Sequence, residues 1–419
     1  MRSVRFRLFL AALVGAVSLA GCSGPGDDTG ITIGAIYPVS GRQGPGGLEE
    51  ANGARLAVDL ANQRGGVRGE KVHLQLIDVD AGGAAPSAME DLHRQGIDLV
   101  LGTYGSTISA PAAVTARQNG MLLWETGAVG QLGADSGAGE TFFRMAPMGG
   151  GLGQAAVAFV RDTLRPMLGG DGGLRYAVAY VDDAYGRSVG LGAVDEIKAS
   201  GQVLTGTFPY DVNRLDAAAV VRAVAESKPD VLFVSAYLDD GIALRRETVT
   251  QNVPLKASIG TSSSYCMPSF AAALGPAAVG LFASDKPSGA VVRDDALNPA
   301  AQKELTWART EYRKRHGTDM TPAALSGFAN TWALVGHVLP ASPDLSPAAV
   351  AATARTVKLA QGALPNGGGL DFGGPDQVDA GENRGAVSVI WQWVDAKTQA
   401  VVWPPAFATR PLQAIPILT

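Results

Sequence analysis

Three tyrosines and a serine stand where apolar runs of strand length give way to helix-length segments, and side chains so placed can grip a small molecule. In "LVLGTYGSTISAPAA" (99–113), Tyr104 and Ser106 follow the run "LVLG". Ser106 stands at the start of the next segment. There its hydroxyl, with the unpaired N–H groups of a helix N-terminus, makes a cradle for an anionic group. The same serine also reads as a plain N-cap. Tyr185 in "VDDAYGRSVG" and Tyr237 in "VLFVSAYLDD" repeat the placement further along. Three aromatic rings of this kind suit a ligand with an apolar or planar body. Trp124 and Glu125 close the run "MLLWE"; the acid is read either as a solvated loop residue or as a group facing a ligand cation. Asp182, Asp183, Asp239 and Asp240 also follow strand-like runs and read as helix caps.

Covalent and metal chemistry find little support. The chain holds four His (His73, His93, His316 and His337), widely spread, with no grouping at metal-ligand spacing. No Gly-x-Ser-x-Gly elbow occurs. "SGRQGPGG" lacks the Gly-Lys-Ser/Thr of a phosphate loop. "PMGGGLGQAA" (147–156) reads as hinge glycine rather than a dinucleotide turn. The expectation is no enzyme, no cofactor, no metal and no catalytic residue.

The elements that must position these side chains alternate regularly. "ITIGAIY" (31–37), "KVHLQLIDV", "IDLVLG" and "MLLWE" are separated by amphipathic segments, one of them with apolar Ala54, Leu56, Val58, Leu60 and Ala61. This is the β-α-β rhythm of a parallel sheet covered on both faces. After "TFFRMAP" it restarts with "RYAVAYV" (175–181), "VLTGTFPY", "VLFVSAY", "LKASIG" and "AVGLFAS". Helices near 300–315, 323–338 and 347–359 and strands in "AVSVIWQWV" and "AVVWPP" complete the chain. Two such series predict an α/β fold of two Rossmann-like lobes with parallel sheets. Gly/Pro/Ser-rich junctions near 146–149, 283–288 and 363–370 make a three-crossing hinge. The first lobe is assigned 31–146 plus 284–362, and the second 147–283 plus 363–419. In such sheets ligands gather beyond the strand carboxyl ends, where Tyr104, Ser106, Tyr185 and Tyr237 fall.

The N-terminus "MRSVRFRLFLAALVGAVSLAGCSG" has a basic start and an apolar run too short to span a bilayer. Its "LAGC" resembles the lipobox of bacterial lipoproteins, which implies cleavage after residue 21 and a lipid on Cys22. Residues 22–30 form a polar tether. Loss of residues 1–21, with three Arg, takes the formal charge from −5 to −8. An acidic chain without a long basic block argues against nucleic acid. Apart from Cys22 the one cysteine is Cys266, so no intrachain disulfide is expected. The reading is a lipid-anchored, otherwise soluble and monomeric protein outside the cytoplasm.

Taken with the stretches quoted above, "ITIGAIYPVSG" and "NGARLAVDLANQRGGVRGEKVHLQLIDVD" resemble the opening of the bacterial leucine/isoleucine/valine-binding proteins, type I solute-binding components of ABC importers. The resemblance runs from about residue 31 to 340. It implies the type I periplasmic-binding-protein fold and a small polar ligand, amino-acid-like or a carboxylate or amide, passed to membrane permease subunits. A sensing lipoprotein that reports to a membrane receptor or kinase is the alternative, and an enzyme on the same scaffold a distant third. Carried over, the ligand-carboxylate serine falls on Ser106. Gly127, Ala128 and Val129 fall where members supply backbone groups, with Val129 in place of a usual threonine. Tyr185 and Tyr237 fall on pocket aromatics. Where amino-acid binders place an acid against the ligand ammonium, this chain has Ser262. That departure implies weak binding of leucine, isoleucine and valine, unless Glu125 meets the ammonium from the first lobe.

Overall fold

The computed structural model describes residues 30–168 and 173–419; the expected leader, Cys22 and the expected tether up to residue 29 lie outside the described residues. From the first strand onward, β1 (Ile31–Tyr37), α1 (Gly44–Gln63), β2 (Val72–Asp78), α2 (Ala85–Arg94), β3 (Leu99–Gly102), α3 (Ser106–Asn119), β4 (Leu122–Glu125) and β5 (Phe142–Arg144) build one lobe. Its sheet is parallel throughout, in the order β2-β1-β3-β4-β5. Alternate residues of one strand serve two cores. Leu99 and Leu101 pack in one, Val100 in the other with α2 and α3. A strand buried on both faces therefore reads as one unbroken apolar run.

The second lobe follows with α4 (Gly149–Phe159), β6 (Arg175–Val181), α5 (Ala184–Ala199), β7 (Val203–Tyr210), α6 (Ala217–Glu226), β8 (Val231–Ser235), α7 (Leu238–Thr250), β9 (Ala257–Thr261), α8 (Pro268–Leu274) and β10 (Phe282–Asp285). The chain then returns to the first lobe with α9 (Pro299–His316), α10 (Pro322–Trp332), the one-turn α11 (Leu339–Ala341) and α12 (Pro347–Thr356). It ends in the second lobe with β11 (Val389–Trp393) and β12 (Gln399–Trp403). Those two strands extend the second sheet, order β12-β11-β10-β9-β8-β6-β7, by antiparallel pairing onto β10. Two α/β lobes with three crossings are thus present, and the C-terminal third adds to both rather than forming its own sheet.

Three details differ from expectation. "PMGGGLGQAA" is not loose hinge: Gly149 opens α4, and a Cβ on Gly153 would stand 2.2 Å from the Val189 carbonyl of α5. The glycines let α4 and α5 pack backbone to backbone, and the crossing itself is shorter. The crossing expected at 363–370 lies further on. Leu364, Leu370 and Phe372 belong to the first core, and Glu382 bridges beside Arg144 of β5. The glycines there serve tight turns, Gly362 and Gly367 both having positive φ. Ser284 and Asp285, assigned to the first lobe, likewise belong to β10 in the second sheet.

Candidate functional site

The carboxyl ends of the strands in the two lobes face each other across a closed cleft. The turn after β3 brings Thr103, Tyr104 and Gly105 to its first-lobe wall. Tyr104 has φ +64°, a conformation uncommon for a side chain of its size and concentrated at functional sites. Its ring passes over α1, where a Cβ on Gly46 would stand 2.1 Å from the Tyr104 hydroxyl; only glycine leaves that path open. The hydroxyl donates to Ser263 Oγ of the other lobe at 3.2 Å.

Gly105, not Ser106, is the N-cap of α3. Ser106 is the first helical residue, 4 % exposed, and its Oγ accepts from Gly130 N at 2.8 Å. Its proton remains available to a ligand. Ile108 and Ser109 N–H turn back to the Gly105 carbonyl, while those of Ser106 and Thr107 stand at the open end of the helix. Gln43 Nε2 donates to Thr107 Oγ1 at 3.1 Å.

Facing these, Tyr185 Oη lies 2.8 Å from Thr261 Oγ1. The rings of Tyr185 and Tyr237 have centroids 5.4 Å apart. Tyr237 Oη donates to Asp183 Oδ2 at 2.7 Å, and Asp183 caps α5 by accepting from Gly186 N. The second lobe thus locks its aromatic wall through a helix cap. Tyr104, Ser106, Gly127, Val129, Tyr185, Tyr237, Ser262, Ser263, Gln43 and Lys286 line a narrow space between the lobes. Six of the eight ligand-binding residues expected from sequence meet here.

The other two do not. Glu125 is fully buried behind the wall. Its Oε1 accepts from the N–H groups of Thr103 (2.7 Å), Gly127 (2.9 Å) and Ala128 (2.8 Å). Its Oε2 accepts from Thr103 Oγ1 (2.9 Å) and Ser109 Oγ (2.6 Å). Five donors saturate the carboxylate, so it ties two loops together and has no lone pair free for a ligand ammonium. The same bonds consume the amides of Gly127 and Ala128, and Ala128 does not line the space. Gly127 contributes instead through its carbonyl, which accepts from Lys286 Nζ at 3.0 Å.

Lys286, 6 % exposed, escaped the sequence reading. A signal was present, since the buried run "LFAS" ends abruptly in "DK" at a crossing. Glu50 of α1 was missed as well. It is fully buried behind Gly127, and Thr126 Oγ1 donates to its Oε1 at 2.7 Å. Burial above all pushes its pKa from 4.5 up to about 8, against the pull of Lys286. Among the described residues no group of three or more His, Cys, Asp or Glu could hold a metal ion. Nor is any helix among them long and apolar enough to cross a membrane.

A model of the periplasmic binding protein family matches residues 30–397. The chain belongs to that family. This periplasmic binding protein is 27 % identical over 399 residues to Leu/Ile/Val-binding protein homolog 8 of Brucella suis, an alignment covering 94 % of this chain and 96 % of the other. It is 29 % identical over 268 residues to homolog 7 of the same organism, covering 64 % of this chain and 66 % of the other. Its fold is that of a leucine-binding protein from Thermotoga maritima, with TM-score 0.75, 15 % identity and coverage of 88 % and 97 % of the two chains. It is shared equally by a solute-binding protein from R. palustris in complex with benzoate, with TM-score 0.70, 16 % identity and coverage of 92 % and 99 %. The type I periplasmic-binding-protein fold and the role of a solute-binding protein outside the cytoplasm are thereby established for this chain. Its relatives are binding proteins rather than enzymes.

Proposed function

We propose that this chain is the lipid-anchored capture component of an ABC importer. It closes its lobes on a small ligand that carries a carboxylate, of the class to which the branched-chain amino acids belong. The observation that carries the reading is the cleft itself. Ser106, at the start of α3, and Lys286 line the same space as Tyr104, Tyr185 and Tyr237. A hydroxyl, a helix N-terminus and a buried cation together favour an anion, and the aromatic walls favour an apolar body beside it. The Brucella relatives named for leucine, isoleucine and valine support this class. The benzoate complex supports a carboxylate as the common element of ligands on this fold. Anchoring through Cys22 and delivery to permease subunits complete the reading.

Mass spectrometry of small molecules released from protein purified under mild conditions tests it directly, with calorimetry on the molecule recovered. A carboxylate ligand whose affinity falls about ten- to a hundredfold in Ser106→Ala, the loss of one charge-assisted hydrogen bond, is the expected result. A ligand without an anionic group overturns it.

A further inference from the structure

Arg144 ends β5, where the chain first leaves the first lobe, and it is fully buried. A guanidinium in that position needs partners, because an unpaired buried charge is costly. It has three, each on a different piece of the molecule. Nη2 donates to the Gly130 carbonyl at 2.5 Å. Nη1 lies 3.3 Å from Glu382 Oε1 and turns also to the sulfur of Met148, the N-cap of α4 in the second lobe. The backbone of Arg144 pairs with the same returning segment, its N–H donating to the Gly381 carbonyl and its carbonyl accepting from Asn383 N. Val387, four residues beyond Asn383, already belongs to the second core. The first and third crossings therefore leave the first lobe side by side, with one guanidinium between them.

The contact to Gly130 leads into the cleft. Gly130 N donates to Ser106 Oγ at 2.8 Å. A Cβ on Gly130 would stand 2.5 Å from Ser106 Cβ and 3.1 Å from the Ala184 carbonyl of the second lobe, so only glycine lets the backbone lie between them. A glycine has no side chain to restrict its torsions, and its orientation comes from what holds the groups on either side. The amide unit before it is fixed, since the Val129 carbonyl accepts from Gly149 N at 2.7 Å. On the other side the holder is Arg144. We propose that Arg144 is a positioning residue for capture: through Gly130 it sets the direction in which the Ser106 hydroxyl presents its proton to a ligand carboxylate. Glu382 steadies the guanidinium, so the relay runs from Glu382 through Arg144 and Gly130 to Ser106, from the hinge to the cleft. Arginine–carboxylate pairs commonly use two parallel bonds; here one amino group is diverted from Glu382 to the loop behind Ser106.

This inference rests on the capture reading above, and two readouts separate their fates. The first needs no ligand. The temperature dependence of the Gly130 amide-proton shift is measured by NMR on wild type, Ser106→Ala, Arg144→Met and Glu382→Gln, the last serving should Arg144→Met fail to fold. The expected result is a shallow dependence in wild type, a steep one in Ser106→Ala, and a change toward the Ser106→Ala value in both hinge variants. This is a property of the folded molecule, so an arginine that only stabilises the lobe would not move it. A Gly130 unmoved in either variant overturns the proposal. The second readout is calorimetry with L-leucine and with benzoate on wild type, Arg144→Met, Ser106→Ala and the double variant. For a probe that wild type binds, Arg144→Met lowers affinity at least about fivefold, but under about twofold when Ser106 is already alanine, since nothing is left to position. Equal losses in both backgrounds overturn the proposal. When wild type binds neither probe, the Gly130 amide alone decides. If Ser106→Ala weakens binding while Gly130 is unmoved in Arg144→Met, the relay falls and the capture reading stands. If Ser106→Ala binds a probe as wild type does, both fall.

Discussion

Glu125 shows how one side chain can be conspicuous in sequence for a reason sequence does not display. An acid directly after a buried strand is unusual, and a ligand contact is a fair expectation. Its five donors come from residues 103 to 128, and nothing in the sequence says that they converge. Glu125→Ala is expected to destabilise the protein by at least about 3 kcal/mol in denaturant titration, since several buried donors at ~1–3 kcal/mol each lose their acceptor. Glu125→Gln, which keeps one acceptor oxygen, loses less. A variant of full stability that fails only to bind ligand would restore the counter-charge role. Glu50 gives a second residue-scale prediction. Its folded pKa of about 8 lies above its ordinary 4.5, so between those pH values the folded state holds a proton that the unfolded state has released. Stability from this group is therefore complete below about pH 4.5 and drains as pH rises toward 8, with a slope of roughly 1.4 kcal/mol per pH unit. Glu50→Gln removes that slope, so the variant gains on wild type between pH 5 and 8. Burial raises Glu49, Asp183 and Asp240 as well, which leaves part of the slope in place. Equal pH dependence in wild type and Glu50→Gln counts against a protonated Glu50.

At the scale of elements, apolar periodicity was enough to find what is regular. β6 and β7 have the bounds expected of "RYAVAYV" and "VLTGTFPY", and β1 those of "ITIGAIY". Helix starts fall within two residues of expectation where caps are chemically marked, as with Asn298 before α9 and Ser346 before α12. Glycine misled, because it serves two opposite purposes. In α4 and α1 it is packing: a Cβ on Gly327 of α10 would lie 1.9 Å from the Glu50 carbonyl, and one on Gly53 of α1 2.0 Å from that of Ala324. Such contacts join elements hundreds of residues apart, and composition alone cannot tell them from a flexible joint. The site was legible where its residues follow strands directly, as Tyr104, Ser106, Tyr185, Tyr237 and Ser262 do. It was illegible where a lining residue lies at a crossing, as Lys286 does, or where a buried group is brought behind the wall from a distant helix, as Glu50 is.

At the scale of the molecule, the lobes are held together by few direct bonds, and this sets what closure costs. Tyr104 reaches Ser263. At the rim, Arg42 Nη2 donates to Asn213 Oδ1 at 3.1 Å, with Nη1 3.5 Å from the Val212 carbonyl. Arg42 is exposed, and a surface contact of this kind is worth only about 0–1 kcal/mol. A ligand that touches Ser106 in one lobe and Tyr185 and Tyr237 in the other makes all its contacts only when the lobes are closed. It therefore draws the population that way by its differential affinity. Small-angle scattering is expected to give a smaller radius of gyration with saturating ligand than without. Arg42→Ala removes the rim contact while leaving the cavity lining intact. Its unliganded radius should be larger than that of wild type, its saturated radius the same, and its affinity lower by less than about tenfold, the fraction by which the competent state is depleted. A radius that does not change on saturation rules out hinged capture. A change in the saturated radius of Arg42→Ala would mean that the rim contact helps to define the closed geometry, rather than only how often it is reached.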